Sequence, residues 1–211
     1  MSEKQDSEKI TTIVTAARKR FGHYGLAKTT MSEIAGDVGM SKAAMYYYFP
    51  DKEHLFLAVI KQEMESFFTE VEALSQQDLP ADVQLTQYVD IKFRSFKESQ
   101  NLSQLGSINH EPVRSAFAQF KQEFTDRETK IVRSILERGI AAGLFQQTDA
   151  AKLAELFVAV LRGLRLLILK QRDSYVLTPE DHEQLKNHQS LFTSVYIKGI
   201  SKQDANSQLS L

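Results

Sequence analysis

Helix-breaking residues are scarce in this chain, and that constrains its fold more than any other feature. Four prolines and nine glycines are spread over 211 residues, while apolar side chains return every three or four positions. That is the period of a helix with one buried face, and nowhere does it give way to the alternation of a half-buried strand. Ile10, Ile13, Val14, Ala17, Phe21 and Tyr24 mark the first such face, closed by Gly25; a chain leaving a helix commonly passes through a left-handed residue. Thr30, with Glu33 three residues on, is a capping box for a short helix carrying Ile34, Ala35 and Val38. Gly39 breaks that helix, Ser41 caps a third over about 42–49, and Pro50 stops it.

Asp51 is placed to cap a long fourth helix with Leu55, Val59, Phe67, Val71 and Leu74 along one side. Further helical patterns cover roughly 81–100, 112–142, 149–171 and 180–200. The last opens on Thr178-Pro-Glu-Asp181, a capping box with proline at the first helical position. The expected architecture is all-α: a three-helix head over 1–54, a larger helical body over 55–202 and a polar tail over 203–211. Arg162 and Arg165 interrupt the apolar run from Leu156 to Leu169 and are expected to snorkel from its edge.

Several function classes fall away at this point. With no cysteine, there are no disulfides, thiolate nucleophiles or cysteine-ligated metal sites. The longest apolar run, Leu156–Leu161, is six residues, against the roughly 20 that span a bilayer, so no membrane partner is expected. The first eight residues are polar and lead into no apolar stretch, which predicts a cytoplasmic protein. The five histidines (23, 54, 110, 182, 188) are scattered, and His182 and His188 point apart on a helix. His110-Glu111 has no second ligand pair of suitable spacing, and neither a phosphate-cradling glycine loop nor a nucleophile elbow is present. No metal, cofactor or catalysis is expected.

The head carries the functional signal. A capped helix, the turn Gly39-Met40-Ser41 and a second short helix form a helix-turn-helix pattern. With Met45 turned inward, a rotation of 100° per residue points Ala43 and Tyr47 outward, flanked by Ala44 and Tyr46, with Lys42 in the exposed first turn. A helix of this size fits a DNA major groove with its N-terminal residues nearest the base edges. The net charge is −1, yet the stretch from Lys9 to Lys52 holds seven basic residues against three acidic, a sign that suits contact with phosphate. Three consecutive tyrosines on an exposed turn bury little unless a partner covers them.

Four segments share a further property: Ile13-Val-Thr-Ala-Ala-Arg-Lys-Arg-Phe21, Tyr24-Gly25, Thr29-Thr30-Met-Ser-Glu-Ile-Ala35, and Val38-Gly-Met-Ser-Lys-Ala-Ala-Met-Tyr-Tyr-Tyr-Phe-Pro-Asp-Lys52-Glu-His-Leu55. In order and spacing they resemble the N-terminal domain of bacterial TetR-family transcriptional regulators. The resemblance implies that Thr30 caps its helix close to a phosphate and that Met31 and Ser32 reach the backbone or a base. It implies that Lys42, Ala43 and Ala44 begin the base-reading helix, that Tyr46 and Tyr48 touch phosphates and that Tyr47 faces the groove. Lys52 matches a phosphate-contacting lysine. Ala44 departs from the family, many of whose members have glycine or threonine there.

The resemblance further implies a homodimer on a palindromic double-stranded DNA operator, acting as a repressor released by a small-molecule effector bound in the body. The last two helices are the expected dimer elements, through Leu153, Leu156, Val160, Leu164, Leu185, Phe192 and Val195. Phe93, Phe96, His110, Phe117, Phe120, Phe124 and Arg165 are the candidate effector-binding residues. The competing reading is an all-α interaction or adaptor module whose tyrosine face binds a protein and not DNA.

Overall fold

The computed structural model describes residues 2–99, 101, 111–170 and 177–202. Among them are eight helices: α1 (Ser2–Tyr24), α2 (Met31–Asp37), α3 (Lys42–Tyr48), α4 (Lys52–Ser75), α5 (Ala81–Glu98), α6 (Glu111–Ala141), α7 (Ala150–Lys170) and α8 (Pro179–Ile200). Their starts follow side-chain capping. Thr30 Oγ1 accepts from the Glu33 amide at 3.3 Å, and the Glu33 carboxylate accepts from the Thr30 amide at 2.8 Å. Ser41 Oγ accepts from the Ala44 amide at 3.1 Å to open α3, and Asp51 Oδ1 accepts from the His54 amide at 2.7 Å to open α4. Thr178 and Asp181 form the second reciprocal box, at α8. Between α2 and α3 the chain turns at Gly39, whose φ of 66° lies in the left-handed region.

The contacts divide the chain into two units. The first comprises Met1–Ser66 with Ser95–Gln122, the second Phe67–Arg94 with Glu123–Leu211. This differs from a single cut after residue 54: the first unit extends along α4 to Ser66 and takes in the segment 95–122.

The first unit is built on Ile13, Val14, Ala17 and Phe21 of α1, Ile34 and Ala35 of α2, Met45 of α3 and Leu55, Phe56, Val59 and Ile60 of α4. Phe21 meets Phe56 edge to face at 5.2 Å. Ile10 and Tyr24, expected on the buried face of α1, are exposed. The apolar stripe overruns this core at both ends, and Tyr24 instead packs edge-on against His23 at 4.5 Å.

The second unit packs the end of α4 with parts of α5 and α6 and with α7 and α8, around Tyr88, Phe145 and Phe157. Phe157 lies 4.7 Å from Tyr196 and 5.5 Å from Phe192, and the Tyr196 hydroxyl donates to the Leu153 carbonyl at 2.9 Å. An isolated bridge pairs Phe145 with Ser201, and the Gln146 amide donates to the Ile200 carbonyl at 2.8 Å. No helix among the described residues is long and apolar enough to cross a membrane.

Candidate nucleic-acid interface

α3 has two faces. Met45 is fully buried and Phe49 nearly so, which fixes the helix on α1, α2 and α4 through the shared core. Lys42, Ala43, Tyr46 and Tyr47 face solvent, and Tyr47 is 78% exposed, an unusual placement for so large a ring. The Lys42 ammonium stands 5.9 Å over the Tyr46 ring, so the cation is held along the helix's outer surface. Thr30 and Ser32 are exposed at the start of α2, whereas Ala44 and Lys52 are half-buried.

Two of the expected contact residues are also engaged within the head. Met31 is 5% exposed, and its side chain belongs to the head core. Tyr48 is half-buried, and its hydroxyl donates to Asp6 Oδ1 of α1 at 3.2 Å. Its ring meets Tyr47 edge-on at 5.0 Å, so Tyr48 supports the exposed tyrosine and ties α3 to α1.

One positioning group escaped the sequence reading. Arg20 of α1 grips Asp37 of α2 with two nitrogens, one of them at 2.9 Å, and lies 3.6 Å from Glu33. The hydrogen bond from Arg20 holds the Asp37 carboxyl below its usual range. Glu33 is held low as well, first by the Thr30 hydroxyl and then by the Thr30 amide. The partners are 17 residues apart on different helices, a separation that leaves no local signal to read.

The residues expected to bind an effector are divided between the two units. Phe96, Phe117 and Phe120 belong to the first unit, where Phe117 and Phe120 pack on the head core and the Lys61 ammonium stands 5.3 Å over Phe120. Phe93 and Phe124 belong to the second. Phe93 lies edge-on to His182 at 6.4 Å, and Phe124 lies 4.6 Å from Phe68. His110 lies outside the described residues. Arg162 and Arg165 are half-buried: Arg162 Nη2 donates to the Thr125 hydroxyl at 2.8 Å, and Arg165 Nε is shielded from solvent.

On the two last helices, Leu156 and Val195 are exposed, and Leu153, Val160 and Leu164 are half-buried. Leu185 is 1% exposed and packs inside the protomer, so it is not an interface contact; Phe192 is largely engaged with Phe157 and Tyr196. Leu167 and Leu191, not singled out from the sequence, are exposed. No three His, Asp or Glu among the described residues are grouped to hold a metal ion.

Known proteins place this geometry. Residues 13–59 match the family model of the bacterial regulatory proteins of the tetR family. The chain is 29% identical over 99 residues to the HTH-type transcriptional regulator RutR of Escherichia coli (strain K12), a match covering 47% of this chain and 46% of RutR. It thus spans about half the length of that relative. To the HTH-type transcriptional regulator BetI of Agrobacterium fabrum it is 28% identical over 160 residues, 72% of each protein. A crystal structure of a transcriptional regulator from Cytophaga hutchinsonii superposes with a TM-score of 0.84 at 37% identity, over 92% of this chain and 99% of that one. The capped helix-turn-helix, the all-helical fold and these relatives agree: the chain belongs to the TetR family of bacterial regulatory proteins, the matched residues 13–59 lying in its first unit.

Proposed function

We propose that this protein is a homodimeric transcriptional repressor that holds a pseudopalindromic operator through α3 and releases it when a small molecule occupies the second unit. The observation that carries the reading is the division of α3, with Met45 sealed in the core and Lys42, Ala43, Tyr46 and Tyr47 turned to solvent. A major groove about 12 Å wide admits such a helix. Ala43 permits close approach, Lys42 can donate to guanine or phosphate, and the exposed tyrosine hydroxyls can donate to phosphate. Lys52 stands in the first turn of α4, where the helix's partial positive charge adds to its own.

One head covers only a single-module area of DNA, too little to single out a site among a genome's competitors. Two heads related by a dyad read twice as much. The exposed Leu156, Leu167, Leu191 and Val195 of α7 and α8 supply apolar surface of the kind a second copy covers. An effector weakens operator binding only by preferring the conformation that binds DNA poorly.

The test is retention of a DNA fragment from upstream of the protein's own gene. Affinity falls steeply as salt rises, and the footprint shows two protected patches about one helical turn apart. Lys52→Ala weakens binding to all sequences alike, while Lys42→Ala also relaxes base preference. A fragment that is not retained at low salt, or retention indifferent to both substitutions, contradicts the reading.

A further inference from the structure

Within the second unit, α5 and α8 leave a groove of about 530 Å³ between them. A volume of that order is usual for a small-molecule site. Phe93 of α5 lies edge-on to His182 near the start of α8, while residues 82–90 of α5 line the groove opposite residues 190–198 of α8. The two helices therefore run antiparallel. Asp82 and Lys198 mark one end of the groove, and Asp90 and Ser190 mark the other.

The walls are rich in acceptors. Asp82 Oδ1 is shielded from solvent and has no hydrogen-bond partner among the described residues, a costly condition for a carboxylate oxygen. Lys198, although exposed at the same end, forms no ion pair with a described residue. The Thr86 hydroxyl donates to the Asp82 carbonyl at 2.9 Å, and the Thr193 hydroxyl donates to the Gln189 carbonyl at 2.7 Å. Each hydroxyl has one proton to give, so both threonine oxygens keep only lone pairs to offer a ligand. Val89 and Ile197 supply apolar surface between the polar ends. Such a groove calls for a molecule that donates at its ends and is apolar along its middle.

Spacing narrows the class. Asp82 and Asp90 are eight residues apart on α5, about 12 Å of helical rise. They are too distant to share one metal ion, and no three His, Asp or Glu among the described residues are grouped to hold one. Two ammonium groups joined through about nine bonds span roughly 11 Å, at the reach per bond of an extended peptide.

We propose that this groove binds a linear organic diamine, with one ammonium at Asp82, the other at Asp90 and the methylene chain over Val89 and Ile197. The site needs neither DNA nor a second copy, so it stands apart from the regulatory reading.

Calorimetric titration of the purified full chain with octamethylenediamine tests the proposal, beside tetramethylenediamine, octylamine and suberate. The longer diamine binds most tightly. Shortening the chain or removing one ammonium lowers affinity by roughly tenfold, and the dianion suberate does not bind. Asp82→Asn and Asp90→Asn each bring the affinity for octamethylenediamine down to that of octylamine for the wild type. Asp90 is exposed, so its substitution leaves the fold intact and keeps the test readable should Asp82→Asn unfold. Lys198→Gln, which removes a like charge from one end, tightens binding. Glu155→Gln on α7, outside the groove, leaves affinity unchanged. Absence of diamine binding overturns the proposal, as does octylamine or suberate binding as tightly as the diamine. An Asp90→Asn protein of wild-type affinity, a loss of equal size in Glu155→Gln, or weaker binding by Lys198→Gln overturns it too.

Discussion

At Glu63 a carboxylate is sealed beneath Arg18 and Asn101. Its Oε1 accepts from Asn101 Nδ2 at 2.8 Å and Arg18 Nε at 3.1 Å, while Oε2 has no hydrogen-bond partner among the described residues. Burial outweighs those donors and raises its pKa above the ordinary 4.5. A carboxyl raised on folding binds its proton more tightly in the native state than in the unfolded chain. It therefore adds stability below its raised value, and that contribution is lost as pH rises through it. Glu63→Gln cannot titrate, so urea unfolding at pH 5 and pH 7 has a defined outcome: the wild type gains on the variant at the lower pH. An identical difference at both values contradicts the assignment. Gly139 presents a different constraint. A Cβ there would lie 2.3 Å from the Phe145 ring, itself 1% exposed, and 2.8 Å from the Ala81 Cβ. With no flexible end to move aside, Gly139→Ala is expected to cost about 1–3 kcal/mol by thermal or chemical denaturation. An unchanged Tm would mean that the ring has room to shift. Neither residue was legible beforehand, because a sequence shows that a position is glutamate or glycine and not which distant side chain closes over it.

Among elements, the helix limits were the most readable feature, and the cause is chemical. Thr30, Ser41, Asp51 and Thr178 each cap within three residues of themselves, so the signal and the bond it makes are both local. The faces of α1 and α3 were legible for the same reason: Ile13, Ala17 and Phe21 recur at the helical period, as do Met45 and Phe49. Periodicity does not say what an apolar side chain meets. The family resemblance marked Met31 as a DNA contact although its side chain faces the core, and the apolar stripe grouped Leu185 with Val195 although only Val195 is accessible. The exposed positions on α8 yield a prediction at this scale. Leu191→Glu combined with Val195→Glu puts two carboxylates on an apolar surface that a second copy is proposed to cover. Sedimentation should show a wild-type dimer and a folded monomeric variant, and a variant that remains dimeric would move the interface elsewhere.

Across the whole molecule, the all-α class followed from the scarcity of breakers and the unbroken helical period. The division into units did not, because each unit joins segments far apart in the chain. Phe117 and Phe120 read as part of the body by position, yet they pack on the head core. The buried ion pair was hidden in a similar way: Lys92 and Glu128 lie on different helices, 36 residues apart. The proposed DNA-binding face lies mostly on a single seven-residue helix, α3, whose solvent-facing side the local helical period makes readable. Its role is open to one measurement above others, the affinity of Lys42→Glu for the upstream fragment at a fixed moderate salt concentration, with its Tm recorded alongside. Lys42 is exposed, so the substitution leaves stability within roughly 0.5 kcal/mol of the wild type. Reversing the charge beside the phosphates is predicted to lower affinity by roughly tenfold or more. Wild-type affinity in an equally stable Lys42→Glu protein would show that α3 does not face DNA.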